Sequence, residues 1–315
     1  MTTTHTADLE AAVLALKEPS SLEIRPRYEG SNICTWIGFK HVNYLVEEAV
    51  LNHLRQAGLA PGTVYEVYGL CTDIVDIDTR ILHAFHIDDT AVAEVKPHRK
   101  AKDGELLFAV TLHVRRETQL KAVTSTVRVQ LRLDPRGGGE LPVPAALAPF
   151  AVDRLAAEPG WTPEPVEADL AADDLVKELT AGKNAYAWKF RIPYWYCHFT
   201  ERQQMSGYLR LMEEAKDRLV ADRGVSIKTL LDEQNWIPVV PHSRITVLDG
   251  PKHPVLVELA PGERIELFEG AAAPAWTPTS CGTGSWCRPP PGASPTGTPS
   301  SRTGATGPWS PSTTA

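Results

Sequence analysis

Apolar positions recur at helical spacing in the stretch that follows Gly38. Val42, Leu45, Val46, Ala49, Val50 and Leu54 fall at steps of three and four and predict one long amphipathic helix. Gly58, Pro61 and Gly62 then supply stop signals. Upstream, residues 21–32 read as a strand running into a turn. Downstream the period shortens. Residues 63–82, 89–98, 105–117 and 121–133 are rich in β-branched side chains, alternate in character and read as about four strands. Residues 134–183, rich in Pro, Ala and Gly, read as a connector with one short helix over 169–179.

The pattern then restarts. Residues 187–199 read as a strand. Residues 203–224 read as an amphipathic helix with Met205, Leu209, Met212, Ala215 and Leu219 on one face and Gly224 at its end. A helical turn over 227–235 and strands over 236–248, 254–259 and 264–268 follow. The helices can be laid over one another: Cys34-Thr35, Tyr44-Leu45 and Glu47-Glu48-Ala49 against Cys197-His198, Tyr208-Leu209 and Glu213-Glu214-Ala215. The repeated order of elements is the stronger sign of duplication. The expected class is α+β, with a first unit over 20–135, a connector over 136–183 and a second unit over 184–269.

From Gly270 to Ala315 the chain uses only Ala, Pro, Trp, Thr, Ser, Cys, Gly and Arg. A low-complexity tail has such a composition. So does a GC-rich gene translated out of frame, which is the reading taken here. Codons for residues 308–314, read two nucleotides later, return a strand-like apolar run ending in Asp or His. On that reading the residues after about 270 carry no functional information, and the second unit is cut short.

Composition narrows the function. The 315 residues suit about two domains of ~150 residues. A formal net charge of −7 does not suit a surface that coats nucleic acid or an anionic membrane. No apolar run approaches the ~20 residues of a membrane span, and no signal peptide is visible at the start. Five cysteines without a CxxC pair read as reduced thiols in a cytoplasm.

The strand, long helix and strands, met twice, resemble the hotdog superfamily, in which an antiparallel sheet wraps around one long helix. Thioesterases of the 4-hydroxybenzoyl-CoA type carry a motif of the form D-x-x-G-H-V-N-N-x-x-Y-L-x-x-x-E-E-A-R at the start of that helix. Here the first unit offers Gly38-Phe39-Lys40-His41-Val42-Asn43-Tyr44-Leu45-Val46-Glu47-Glu48-Ala49. The second offers Cys197-His198-Phe199-Thr200-Glu201-Arg202 and then Tyr208-Leu209-Arg210-Leu211-Met212-Glu213-Glu214-Ala215. The motif's leading Asp has no counterpart. Its place falls on Thr35 or Ile37, depending on the residue counted from, and on His198 in the second unit. Some hotdog thioesterases of polyketide pathways lack that acid too, as does a leinamycin-type double hotdog acyltransferase/decarboxylase.

The resemblance implies a tandem, or double, hotdog. It implies hydrolysis of an acyl-CoA or acyl-carrier-protein thioester in polyketide or fatty-acid metabolism. The alternatives are acyl transfer with decarboxylation, dehydration, or acyl binding without catalysis. No cofactor and no metal are implied. The partners would be coenzyme A or carrier-protein thioesters, with no nucleic acid and no membrane, and a homodimer is compatible.

Thioester cleavage needs a polarised carbonyl and an activated nucleophile. Helix N-termini near Gly38 and near residues 201–203 can supply the first. His41 and Asn43, in the opening turns of the first helix, are candidates for base and for carbonyl donor. Glu47 and Glu48 lie one to two turns further in, where a glutamate facing a cleft can be the base. In the second unit His198 and Glu201 form a candidate acid–base pair, with Arg202 as an anion holder. Lys96, Arg99 and Lys100 belong to one basic run that could meet coenzyme A phosphates or an acidic carrier. The plainer readings are a helix cap, a solvated Glu pair and a solvated loop.

Overall fold

The structure is a computed structural model that describes residues 2–31, 35–134, 139–155, 175–182, 186–188, 190, 193–197, 199, 203–247 and 286–287. An opening helix, α1 (Thr2–Ala15), leads into strand β1 (Ser20–Ile24) and a single 3-10 turn at Tyr28–Gly30. The long helix predicted from the periodicity is α2 (Phe39–Gln56). Its Val42, Val46 and Val50 are fully covered, and Leu45, Ala49 and Leu54 nearly so. Burying a Val or Leu side chain contributes roughly 1.5–3 kcal/mol, so this face fixes the helix in place.

A short helix, α3 (Pro61–Tyr68), occupies the start of the segment expected to be a strand from residue 63. Val64, Tyr65 and Val67 give it strand-like composition. Pro61 in its first turn and Gly69 in the left-handed region (φ 69°) set its ends instead. Strand β2 (Leu70–Ile81) begins only after Gly69 and is followed by β3 (Thr90–Pro97), β4 (Leu106–Arg115) and β5 (Gln119–Leu133). The strands β1 to β5 lie in the order β1-β3-β4-β5-β2, and all neighbours among them are antiparallel. The inward sets alternate as a pleated strand requires: Ala91, Ala93 and Val95 on β3, Phe108, Val110 and Leu112 on β4, Val123, Val127 and Val129 on β5. They join the apolar face of α2 in one core.

A two-residue strand, β6 (Ala151–Val152), pairs parallel with β5, and α4 (Leu175–Thr180) realises part of the expected connector helix. The described residues of the stretch 187–199 do not form the expected strand. They hold a 3-10 turn at Tyr194–Tyr196 and a single bridge between Cys197 and Gln203. Pro193, which carries no N–H, is the N-cap of that turn. The second amphipathic helix is α5 (Met205–Asp222), packed against α2, and α6 (Ile227–Gln234) follows with Ser226 capping it.

The next strands are β7 (Ile237–Pro238) and β8 (His242–Thr246), and β7 pairs with β9 (Trp286–Cys287). β8 adds to the free edge of β2, with Asp76 opposite Thr246 and Arg80 opposite His242. β8, from the second half of the chain, therefore extends the sheet of the first. The strands expected over 254–259 and 264–268 lie outside the described residues, as does the tail apart from Trp286–Cys287. Among the described residues no helix is long and apolar enough to cross a membrane.

α1 is a helix that the sequence reading missed, and His53 helps tie its end to the core. Its Nδ1 lies 2.8 Å from Ser20 Oγ and its Nε2 lies 3.2 Å from the carbonyl oxygen of Leu16. A neutral ring that donates from Nε2 to that carbonyl and accepts at Nδ1 satisfies both contacts. Burial pushes the imidazole below its usual 6.5, against the opposing pull of the Leu16 carbonyl. The folded state thus takes up this proton later than the unfolded chain. The stability it supports is present above about pH 6.5 and is lost as pH falls through the depressed folded value. Chemical denaturation at pH 7.5 and 5.5 is expected to show a smaller loss for His53→Gln than for the wild type. An equal loss would remove His53 from the pH dependence.

Candidate active site

Glu47 and Glu48 are neighbours on α2, and successive helix positions point about 100° apart. Glu48 turns outward and accepts from Arg55 Nη1 at 2.6 Å. Glu47 turns into a cavity of about 230 Å³ between α2, β2 and the start of α5. Burial pushes its carboxyl up to about 7, and the neighbouring charge of Glu48 adds to the shift. Such a group exchanges its proton near neutral pH, which is the property a general base needs.

Three groups of side chains complete the cavity. Leu51 and Arg55 come from α2, Thr72, Asp73 and Ile74 from β2, and Gln203, Gln204, Met205 and Tyr208 from the start of α5. Pro61, Leu155, Phe199 and Val247 close it. The β2 wall lies beside a register shift between Ile74 and Asp76, where Val75 has no partner on β5. A bulge of this kind re-aims the flanking side chains. Asp73 accepts from the buried Arg132, whose Nε lies 3.2 Å away.

The helix end opposite Glu47 is built to receive negative charge. Gln204 is the N-cap of α5 and makes no side-chain cap bond. The first N–H groups of an α-helix lack the usual partner four residues back and carry the positive end of its dipole. Here the Gln204 N–H donates to the Tyr196 carbonyl at 3.1 Å and the Gly207 N–H to the Gln204 carbonyl at 2.9 Å, so Met205 and Ser206 are the candidate donors. Gln203, at 8% exposure, lines the same cavity, and its buried Nε2 has no hydrogen-bond partner among the described residues. A buried amide without an acceptor costs roughly 1–3 kcal/mol, so Gln203 brings an unsatisfied donor to the wall of the cavity.

The other expected site residues sit elsewhere. Gly38 is the N-cap of α2, buried, and its N–H donates to the Gly30 carbonyl at 3.0 Å. His41 is buried against Gly30 and stands edge-on to Tyr44, with Nε2 3.7 Å from Glu29 Oε1 and Nδ1 without a hydrogen-bond partner among the described residues. Burial, followed by Lys40, depresses its pKa below the usual value. It does not line the Glu47 cavity. Asn43 has 0% exposure and spends its amide on the interior. Nδ2 donates to the Phe39 carbonyl at 2.9 Å and to Ser243 Oγ at 3.2 Å, and Oδ1 accepts from Thr79 Oγ1 at 2.7 Å. It ties α2 to β2 and β8.

Lys96, Arg99 and Lys100 lie on the β3–β4 hairpin, on the far side of β5 from β2, and none of them lines the cavity. His198, Glu201 and Arg202 lie outside the described residues. Among the described residues no three His, Cys, Asp or Glu side chains gather as metal ligands.

These features belong to an α+β protein with an antiparallel sheet, a long helix packed on it, and a perturbed glutamate facing the start of a second helix. No protein-family model and no curated protein matches the chain. Among solved structures it is similar to hotdog-fold thioesterases, at low identity and over part of its length. A putative oleoyl thioesterase from Lactobacillus plantarum is 11% identical, with a TM-score of 0.41 over 63% of this chain and 70% of that one. The 12:0-ACP thioesterase from Umbellularia californica is 13% identical, with a TM-score of 0.39 over 65% of this chain and 77% of that one. The 4-hydroxybenzoyl CoA thioesterase from Pseudomonas sp. strain CBS-3 is 14% identical, with a TM-score of 0.35 over 42% of this chain and 98% of that one.

Proposed function

We propose that the chain is an acyl-thioester hydrolase built as two hotdog units in tandem. Its substrate would be an acyl-CoA or acyl-carrier-protein thioester of cytoplasmic fatty-acid or polyketide metabolism. The observation that carries this reading is the pairing of opposites in one cavity. Glu47, with a carboxyl near 7, faces the start of α5 and Gln203, whose amide nitrogen has no partner among the described residues.

Each step has a group to perform it. The thioester carbonyl oxygen sits toward Gln203 Nε2 and the first-turn N–H groups of α5. Glu47, as carboxylate, takes a proton from water while the water oxygen bonds to the carbonyl carbon. Negative charge gathers on the carbonyl oxygen, where those donors stabilise it most. The C–S bond then breaks, and the proton held by Glu47 passes to the leaving thiolate. The products are a carboxylic acid and a free thiol. Leu51, Ile74, Leu155, Met205 and Val247 give the acyl group an apolar wall. His198 and Glu201, neighbours in sequence of Phe199 and Gln203, are proposed as further proton-handling groups, with Arg202 as an anion holder.

A panel of acyl-CoAs, assayed by free thiol release, tests the reading. Turnover above the spontaneous rate on at least one member is expected, and its absence on both CoA and carrier-protein thioesters would overturn hydrolysis. Gln203→Leu is expected to lower kcat by about 10²–10³-fold with a smaller change in KM, the scale for loss of one oxyanion donor. An unchanged kcat would take Gln203 out of the mechanism.

A further inference from the structure

Counted from the first residue of each helix, α2 and α5 carry a glutamate at the same step. α2 and α5 each span 18 residues. Glu47 stands eight residues after Phe39, the first residue of α2, and Glu213 stands eight residues after Met205, the first of α5. Each helix thus brings a glutamate to the start of the other. Near the crossing, Arg210 Nε donates to Tyr44 Oη at 3.2 Å, and Tyr44 Oη donates to the Ser206 carbonyl at 3.3 Å.

The two ends are furnished differently. At the Glu47 end, α5 offers Gln204 and Met205 to a cavity. At the Glu213 end, Lys40, the second residue of α2, places its ammonium 2.5 Å from Glu213 Oε2. The position that corresponds to Lys40 in α5 is Ser206, which is neutral and short. Lys216 adds a second cation there, with Nζ 5.5 Å from the centre of the Phe39 ring. The Lys40 ammonium takes up one oxygen of the Glu213 carboxylate and neutralises its charge, and a second ammonium lies against the first residue of α2.

We infer that the chain works a single acyl site, at Glu47, and that Lys40 closes the corresponding site at Glu213. This inference rests on the reading of the Glu47 cavity as an acyl-thioester site. It assigns Lys40 and Glu213 a structural role, as a strut between α2 and α5.

The test uses the full chain and its Glu47→Gln and Glu213→Gln variants. In thiol release, Glu213→Gln is expected to keep kcat/KM within about twofold of the wild type, while Glu47→Gln loses about 100-fold or more. Titration calorimetry with 2-oxooctyl-CoA, a ketone that resists hydrolysis, is expected to give one equivalent per chain. Two equivalents, or an equal loss of activity in both variants, would overturn the single-site assignment while leaving hydrolysis intact. If no thioester is cleaved and the probe does not bind, the functional reading falls and thermal melting still decides the asymmetry. At pH 8, Glu213→Gln is expected to lower Tm by leaving Lys40 without its carboxylate, and Glu47→Gln to raise it by removing a poorly solvated charge. Shifts of the same sign would overturn it.

Discussion

Glu47→Gln is expected to lower kcat/KM for thioester hydrolysis by about 10²–10⁴-fold, the range for loss of a general base. The same change is expected to make the protein more stable at alkaline pH. The folded carboxyl near 7 lies above its ordinary 4.5, so folding favours the protonated form. The sign follows from linkage. This group costs nothing below about pH 4.5, where it is protonated folded and unfolded alike. It destabilises the fold increasingly as pH rises from there through 7. Replacing it by the neutral, isosteric glutamine removes that cost, on the order of 2–3 kcal/mol at pH 8. Gain of stability with loss of activity is what separates a functional carboxylate from a structural one. Kinetics at saturating and limiting substrate, with urea denaturation at pH 5 and 8, check both halves. A variant that is slower and also less stable at pH 8 would identify Glu47 as a structural residue.

Arg244→Met is expected to destabilise the protein by about 2–4 kcal/mol and to lower activity with it. Asp76 on β2 is 4% exposed and meets β8 through three bonds. Arg244 Nε and Nη2 donate to it at 3.1 and 3.2 Å, and Thr246 Oγ1 donates at 2.6 Å. Removing the guanidinium leaves a buried carboxylate without its cation, the costly way to break such a pair. The figure stays at the low end because the Arg244 side chain is itself 42% exposed. The effect reaches the site because Val247, next in the chain after β8, donates its N–H to the Val75 carbonyl at 2.7 Å and lines the cavity. Asp76→Leu combined with Arg244→Met is expected to recover much of the stability, since an apolar pair leaves no charge buried. By contrast, the exposed pair of His242 and Asp78 one register step away is expected to contribute little. Equilibrium unfolding of Arg244→Met, the double variant and His242→Ala checks this order, and an Arg244→Met variant as stable as the wild type would contradict it.

Much of the fold was legible because its signals are local. The 3.6-residue period gave α2 and α5, and alternation in β3, β4 and β5 gave most of the first sheet. α3 was misread because Val64, Tyr65 and Val67 are strand-like, although Pro61 and Gly69 bound the helix that forms. The stretch 187–199 reads as strand by composition, yet a 3-10 turn at Tyr194–Tyr196 interrupts it. The addition of β8 to the edge of β2 is a pairing across more than 160 residues, which no local pattern reports.

The candidate site was legible as a glutamate pair on one helix and the N-terminus of another near residues 201–203, and no further. Periodicity places Glu47 and Glu48 on adjacent faces but does not say which face meets a cavity. Once α5 is seen beside α2, Glu47 faces the cavity and Glu48 is left to Arg55. Gln203 was passed over because a glutamine before a helix reads as an ordinary polar flank. Its distinguishing property, a buried amide without an acceptor, exists only in three dimensions. Asn43 shows the reverse. The motif made it a candidate donor, but the Phe39 carbonyl, Thr79 and Ser243 take up its amide and hold it in the interior, with Thr79 bonded in turn to Ser125.

The pH dependence of kcat/KM for thiol release tests the central claim most directly. If Glu47 is the base, kcat/KM rises about tenfold per pH unit below 7 and levels off above it, and Glu47→Gln removes that inflection. A wild-type profile that is flat between pH 5 and 8, or an inflection near 7 that survives in Glu47→Gln, would contradict it.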